Sequence, residues 1–249
     1  MAISANSIMH YTGKLDNILN ILKNRKLRYS YCSEKIVTRG NKNFKAAIAM
    51  ISFCDIPLSD YKKHFYNKKD TEDLGYYGDY GIGLSKRWAK DNGLNPVFYV
   101  ESRALVGSSL RWEFEKFTRK GVEIEVPPNH QVLYSKNYEG DLKREGKTVK
   151  KSYRFYDERE WRIVPSTLQI NNYPPVLDDD AYQREKNAFK NVLATSGLAF
   201  ELKDIAYIIV KEEAEIFQVY DVLVLAFEQS IESLTPIRVL TSDQIISDF

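Results

Sequence analysis

Between Ala46 and Cys54 the chain reads AAIAMISFC, nine residues in which only the hydroxyl of Ser52 interrupts an apolar run, and Pro57 follows shortly after. The run predicts a buried strand ended by the proline. Such a strand needs apolar cover. A chain of 249 residues with 43% hydrophobic residues can supply that cover without disulfides or metal, which excludes disorder as its main state.

Periodicity on either side predicts an alternation of helices and strands. The first segment is a strand over 7–11, then a helix of about ten residues carrying Leu15, Ile18, Leu19 and Leu22. A turn over 24–26 leads to an extended stretch over 27–31, and the polar, cationic residues 33–45 read as a loop. Residues 62–73 are highly charged and 75–83 are dense in Gly and Tyr, so both read as exposed loops or turns. A helix over 84–90 closes at Asn92-Gly93, before a strand over 96–101 and a helix over 105–120. Next come a strand over 132–138, a polar loop to 151, a strand over 154–164 and a helix over 181–195 closed by Gly197. The chain ends with a strand over 205–210, a helix over 212–227, a strand over 237–240 and a short helix from Ser242. Neither a linker nor a repeat interrupts this order, so the expectation is one α+β domain over residues 1–249.

Lys and Arg number 36 against 34 Asp and Glu, a formal +2, which excludes a uniformly basic nucleic-acid binder. The charge is unevenly placed. Residues 1–50 carry a net +7 and residues 201–249 a net −7, while the segment 136–154 carries a net +4 with tyrosines interleaved. Cys32, Cys54, His10, His64 and His130 fall into no metal-ligand spacing, so no metal is expected, and unpaired cysteines fit a reducing cytoplasm. No apolar run reaches the length of a membrane span, and no signal-like segment opens the chain.

Three groups of residues carry candidate chemistry. His10 and Thr12 sit two apart in the first strand and share a face, where an imidazole and a hydroxyl can hydrogen-bond one polar ligand. If 157–162 is extended, Glu158, Glu160 and Arg162 share one face. Two carboxylates so placed repel, which raises the pKa of one, and a cleft can use such a pair to bind a ribose hydroxyl and to orient a nucleophile. Ser52 places a hydroxyl in the apolar strand, where burial demands a partner. Each group also fits a structural role: a satisfied histidine at a strand end, a solvated edge strand, a serine bonded to backbone.

The order H-x-T (His10, Thr12), the helix core Asn17, Ile18, Leu19, Ile21, Leu22 with Leu27 following, a central-strand serine (Ser52) and a late E-x-E (Glu158, Glu160) resembles ADP-ribosyltransferases of the DarT-like type. Across most of its length the chain is also similar to the AbiGi family of abortive phage-infection proteins. The segments that carry this likeness are HYTG (10–13), ISFCDIPLSDY (51–61), YGDYGIGLSKRWA (77–89), NPVFYV (95–100) and DEREWRIVP (157–165). The resemblance implies two packed, mainly antiparallel sheets with flanking helices around an NAD cleft, and NAD as substrate without a metal. Carried over residue by residue, it puts His10 and Thr12 on the nicotinamide ribose and amide, Ser52 in support and Tyr80 stacked on nicotinamide, with Tyr76 and Tyr77 competing for that role. Glu160 is then the catalytic carboxylate and Glu158 the group that activates the acceptor.

The cations Lys143, Arg144, Lys147, Lys150 and Lys151, with nearby tyrosines, suit a single-stranded nucleic acid as acceptor, RNA ahead of DNA. The alternatives are transfer to protein, and an antitoxin or sensor that binds on the same scaffold without turnover. A toxin of this kind implies a neutralising partner, for which the acidic C-terminal segment is the expected docking surface. On this sequence reading Glu160 lies in an exposed cleft, so Glu160→Ala is expected to abolish activity and leave folding intact. Glu158→Ala is expected to weaken transfer more than NAD hydrolysis, which parallel assays of labelled acceptor and released nicotinamide would measure.

Overall fold

The computed structural model describes residues 5–37, 43–60, 78–127, 130–144, 147–230, 234 and 237–248. Strand β1 (Ser7–Thr12) leads into the helix Leu15–Asn24, then β2 (Lys26–Arg28), β3 (Ser30–Val37) and β4 (Asn43–Cys54). After β5 (Tyr80–Ser85) and the helix Lys86–Asp91 come β6 (Asn95–Pro96), β7 (Phe98–Val100), the helix Leu105–Glu115, β8 (Thr118–Lys120) and β9 (Glu123–Glu125). The short β10 (Ser135–Asn137), the hairpin β11 (Gly140–Arg144) and β12 (Lys147–Tyr153), and β13 (Glu160–Ile163) follow. Beyond β14 (Val176–Asp178), the helices Asp179–Arg184 and Lys186–Val192 and β15 (Gly197–Ala199), the chain closes with β16 (Ile205–Val210), the helix Ala214–Phe227, β17 (Arg238–Thr241) and the helix Ser242–Asp248.

Strand β4 organises the rest because it is covered on both faces. Ala47, Ala49, Ile51 and Phe53 enter a cluster with Ile18 and Leu22 of the first helix and Val219 and Leu223 of the Ala214–Phe227 helix. Phe44, Ala46, Ile48 and Met50 enter a second cluster with Leu110, Val132, Leu133 and Val176. The uninterrupted apolar run is therefore two interleaved sets of side chains, each serving a different core. Past Met50 the second face changes character, and its next positions, Ser52 and Cys54, meet a cavity.

The molecule mixes helices with several sheets. Among the described residues eleven strands form one branched assembly, ordered β17-β16-β5-β1-β4-β14-β9-β8, with β3 and β13 also on β4 and β6 on β13. Pairing is antiparallel except for β16 with β17 and β7 with β10. Three ribbons, β7/β10, β11/β12 and β2/β15, stand apart from that assembly.

Several local expectations change with tertiary context. Within the region read as a loop over 33–45, β3 and β4 pair antiparallel from Ser30↔Met50 to Val37↔Asn43. The Gly/Tyr-rich 75–83 contains part of β5, where Gly81 and Gly83 lie opposite Tyr11 and Met9. A Cβ on Gly83 would come 2.5 Å from the Met9 Sδ, so the glycine gives way to a large side chain from the neighbouring strand. Residues 61–77, with His64, Tyr76 and Tyr77, lie outside the described residues. The polar loop before 151 is the β11/β12 hairpin. The helix expected over 105–120 stops at Glu115 and is followed by β8, and that over 181–195 divides at Glu185. Of the strand expected over 132–138 only β10 is extended, after a 3-10 turn Gln131–Tyr134. Among the described residues no helix is long and apolar enough to cross a membrane.

Phe53 joins this core to the cavity, its ring edge-on to both Trp88 at 5.8 Å and His10 at 5.7 Å. Phe53→Ala is expected to lower stability by about 3–5 kcal/mol, read by urea denaturation, through lost burial and the void left beside the histidine.

Candidate active site

The site opens where the sheet splits. Strands β1 and β4 pair at Met9↔Cys54, and the residues along the seam beyond that pair, among them His10, Tyr11, Ser52 and Phe53, line a cavity of about 560 Å³. That volume lies within the range of small-molecule sites. The other walls come from Cys32 to Lys35 of β3, Lys136 and Asn137 of β10, Gly140 to Leu142 of β11, and Phe155, Glu158 and Glu160. His10 leaves β1 on the face opposite Met9, yet its ring reaches the seam and Nδ1–H donates to the Ser52 carbonyl at 3.0 Å. Burial lowers its pKa and outweighs the Ser52 contact, so the ring is held neutral, with Nε2 as its acceptor.

Opposite the histidine is a buried charge network. Strand β13 pairs with β4 as Glu160↔Cys54 and Arg162↔Ser52, which places Glu160 and Arg162 on the cavity face. Arg162 is fully buried. Its guanidinium donates to Glu160 at 2.8 Å, to Glu34 of β3 at 3.1 Å and to the Leu133 carbonyl at 3.3 Å. Lys136 Nζ reaches Glu158 at 2.7 Å and Glu160 at 2.9 Å. The Glu160 N–H donates to the Tyr99 hydroxyl at 2.8 Å. Burial alone would raise the Glu160 pKa, but Arg162 and Lys136 outweigh it and hold the carboxyl at about 2. Burial likewise disfavours the Lys136 ammonium, and Glu158 with Glu160 keeps it charged well above its ordinary range.

The expectation of a raised carboxyl pKa in this pair is thus reversed at Glu160, because Arg162 on one side and Lys136 on the other hold its charged form. The route by which they meet also differs. Glu158 ends a 3-10 turn, Phe155–Glu158, and Arg159 takes a left-handed conformation with φ 45°, so the strand expected over 154–164 begins only at Glu160. The expectation that Glu160 is exposed is corrected as well: it is 6% exposed and ion-paired.

Of the candidate residues, the structure brings His10, Ser52, Glu158 and Glu160 together on the cavity wall. It leaves Thr12 outside that wall, its Oγ1 accepting from Asn17 Nδ2 at 2.6 Å. Tyr80 also lies outside that wall, buried in the core with its hydroxyl donating to Glu215 at 2.8 Å. Lys150 and Lys151 are exposed on β12, and Lys150 lies 5.8 Å from the Tyr153 ring. Lys143, Arg144 and Lys147 belong to the same hairpin by backbone, while their side chains lie outside the described residues. Among the described residues no group of three or more His, Cys, Asp or Glu is placed to hold a metal ion.

Sequence reasoning gave Lys136, Glu34 and Tyr99 no place in the site. The i, i+2 spacing of Glu160 and Arg162 was a usable sign of their pairing, whereas no local pattern ties Lys136 to acids more than twenty residues later. Because the folded Glu160 titrates below its ordinary value of 4.5, it contributes stability above that value and loses it as pH falls toward 2. Urea unfolding between pH 5 and pH 2 should therefore show a shallower acid loss in Glu160→Gln than in the parent. At neutral pH Glu160→Ala should cost about 3–5 kcal/mol, since it strands buried cations.

Residues 25–211 match the family described as "Putative abortive phage resistance protein AbiGi, antitoxin". A protein of Lactococcus lactis subsp. cremoris named "Abortive phage resistance protein AbiGi" is 30% identical over an aligned length of 182, with 66% of this chain and 71% of that protein covered. Two solved structures of DarT from Thermus sp. 2.9, one in complex with carba-NAD+ and one with NAD+, are 14% identical to this chain. Each covers 96% of this chain, with 97% and 96% of their own chains covered and a TM-score of 0.37, a likeness too small to carry a conclusion. The extent of the first two matches decides the family: this chain belongs to the AbiGi family of abortive phage resistance proteins.

Proposed function

We propose that this chain is an NAD-dependent ADP-ribosyltransferase toxin of a phage-defence system, acting as one domain in the cytoplasm, with single-stranded nucleic acid as acceptor and RNA ahead of DNA. The observation that carries the proposal is the convergence of His10, Ser52, Glu158 and Glu160, drawn from both halves of the sequence, on one cavity of about 560 Å³. The H-x-T, Ser and E-x-E order supports it.

In this mechanism the bond between nicotinamide and ribose breaks, its electron pair leaves with nicotinamide, and positive charge develops on the ribose. Glu160, already anionic, stabilises that charge through space and accepts from a ribose hydroxyl. The neutral His10 ring offers Nε2 as a second acceptor. Glu158 takes the proton of the incoming nucleophile as the new bond to ribose forms.

Two features favour a nucleic acid as acceptor over protein. Gly140, Asp141 and Leu142 of β11 line the cavity, and β12 of the same hairpin carries the exposed Lys150 and Lys151. Beside it, Tyr156 is 46% exposed and rests on Tyr99 at 5.3 Å and Tyr138 at 5.5 Å, a fixed aromatic surface for base stacking. Tyr99 in turn bonds the Glu160 backbone, so this surface adjoins the reacting carboxylate.

The second reading is an antitoxin or sensor that binds in the cavity without turnover. It is favoured by the family's description as an antitoxin and by the engagement of both Glu160 oxygens with cations. On the toxin reading, a neutralising partner docks on the acidic C-terminal segment.

Incubation with labelled NAD and separate RNA, DNA and protein pools distinguishes these readings. Label in RNA or DNA with release of nicotinamide is the expected result. Label in protein redirects the acceptor, and neither label nor nicotinamide leaves the binding reading. Tyr156→Ala should weaken binding of a single-stranded oligonucleotide by about tenfold or more without changing its base preference. The double variant Lys150→Ala/Lys151→Ala should flatten the salt dependence of that binding.

A further inference from the structure

We propose that Lys136 is a positioning residue, the side chain that holds Glu158 and Glu160 beside one another on the cavity wall. Only its activity measurement rests on the function proposed above. The two carboxylates arrive by different routes, one at the end of a 3-10 turn and one at the start of β13, and a single ammonium meets both at 2.7 and 2.9 Å. Lys136 itself comes from β10, fixed in register by its parallel pairing with β7, where it lies beside Tyr99. The Phe155 ring lies 5.0 Å from Nζ and adds a cation–π contact.

Arg162 does not duplicate this role. Its guanidinium serves Glu160, Glu34 and the Leu133 carbonyl. The network holds three carboxylates (Glu34, Glu158, Glu160) against two cations, and loss of Lys136 leaves three against one in a site largely closed to water. The other charged side chains among the described residues lining the cavity are Lys35 of β3 and Asp141 of β11. The thiols of Cys32 on β3 and Cys54 on β4 and the phenol of Tyr99 on β7 are kept protonated by burial, and His10 on β1 is kept neutral.

The test follows the Glu160 carboxyl by carbon-13 NMR across pH in the full chain and in Lys136→Met, Lys136→Arg and Lys136→Met/Glu158→Gln. In Lys136→Met the Glu160 titration should move up by about one pH unit or more, because the charge of Glu158 is no longer offset. Lys136→Arg should stay near the parent, and Glu158→Gln added to Lys136→Met should move it back down by removing the like charge. If Lys136→Met fails to fold, the same Glu158→Gln change should restore a cooperative melt. An unshifted Glu160 in folded Lys136→Met, or an unfolded Lys136→Met that Glu158→Gln does not rescue, overturns the proposal. In an active protein the acid limb of NAD cleavage should shift with Glu160. A parent that cleaves no NAD refutes the transferase reading and leaves the NMR titration to decide on Lys136.

Discussion

Burial of β4 on both of its faces is the constraint on which the other elements depend. Alternate side chains of one strand supply two cores, so the Leu15–Asn24 and Ala214–Phe227 helices lie on one side and the Leu105–Glu115 helix with Ile124, Val132, Leu133 and Val176 on the other. A single polar substitution in the middle of that strand would leave an unpaired group in close-packed surroundings whichever way it pointed. The apolar demand relaxes only at the C-terminal end, where Ser52 and Cys54 continue the second face. There the strand borders a cavity instead of a core.

The cavity follows from the same geometry. Strand β4 carries β1 on one side and β13 on the other at the level of Cys54, and along the seam beyond it β1 and β4 leave room for His10 to reach the Ser52 carbonyl. Glu160 stands on the opposite border, with Arg162 buried behind it, because their strand is in register with Cys54 and Ser52. Charges this deeply buried persist only when paired, and the chain of contacts from Glu34 through Arg162, Glu160 and Lys136 to Glu158 provides that pairing. A ligand entering the cavity therefore meets an ordered set of charges, with little reorganisation required of them.

Much of the fold is legible in the sequence where the pattern is long and strongly periodic. Strand β1, the first helix, β4, β16, the Ala214–Phe227 helix and the final helix fall close to where their apolar spacing puts them. The errors cluster where a neighbour overrides local preference. Glycine-rich β5 forms because Met9 and Tyr11 need room that only glycine leaves, and β3 extends through a polar stretch because β4 offers a partner for its backbone. At the candidate site, His10, Ser52 and the two glutamates, singled out by type and order, share the cavity wall, while Tyr80 lies in the core, since a tyrosine beside glycines fits a stacking ring and a core residue equally well.

By itself the sequence determined which residues are able to do chemistry and which strand must be central, because residue type and apolar periodicity are local properties. Tertiary structure alone decided that Lys136 lies between Glu158 and Glu160, that Tyr80 belongs to the core and that Glu160 is an ion-paired anion instead of an exposed acid. The physical reason is that electrostatic state depends on distance and burial. Both are set by the pairing of β13 with β4 and of β10 with β7, and strand register between distant segments is written in no short stretch of the chain.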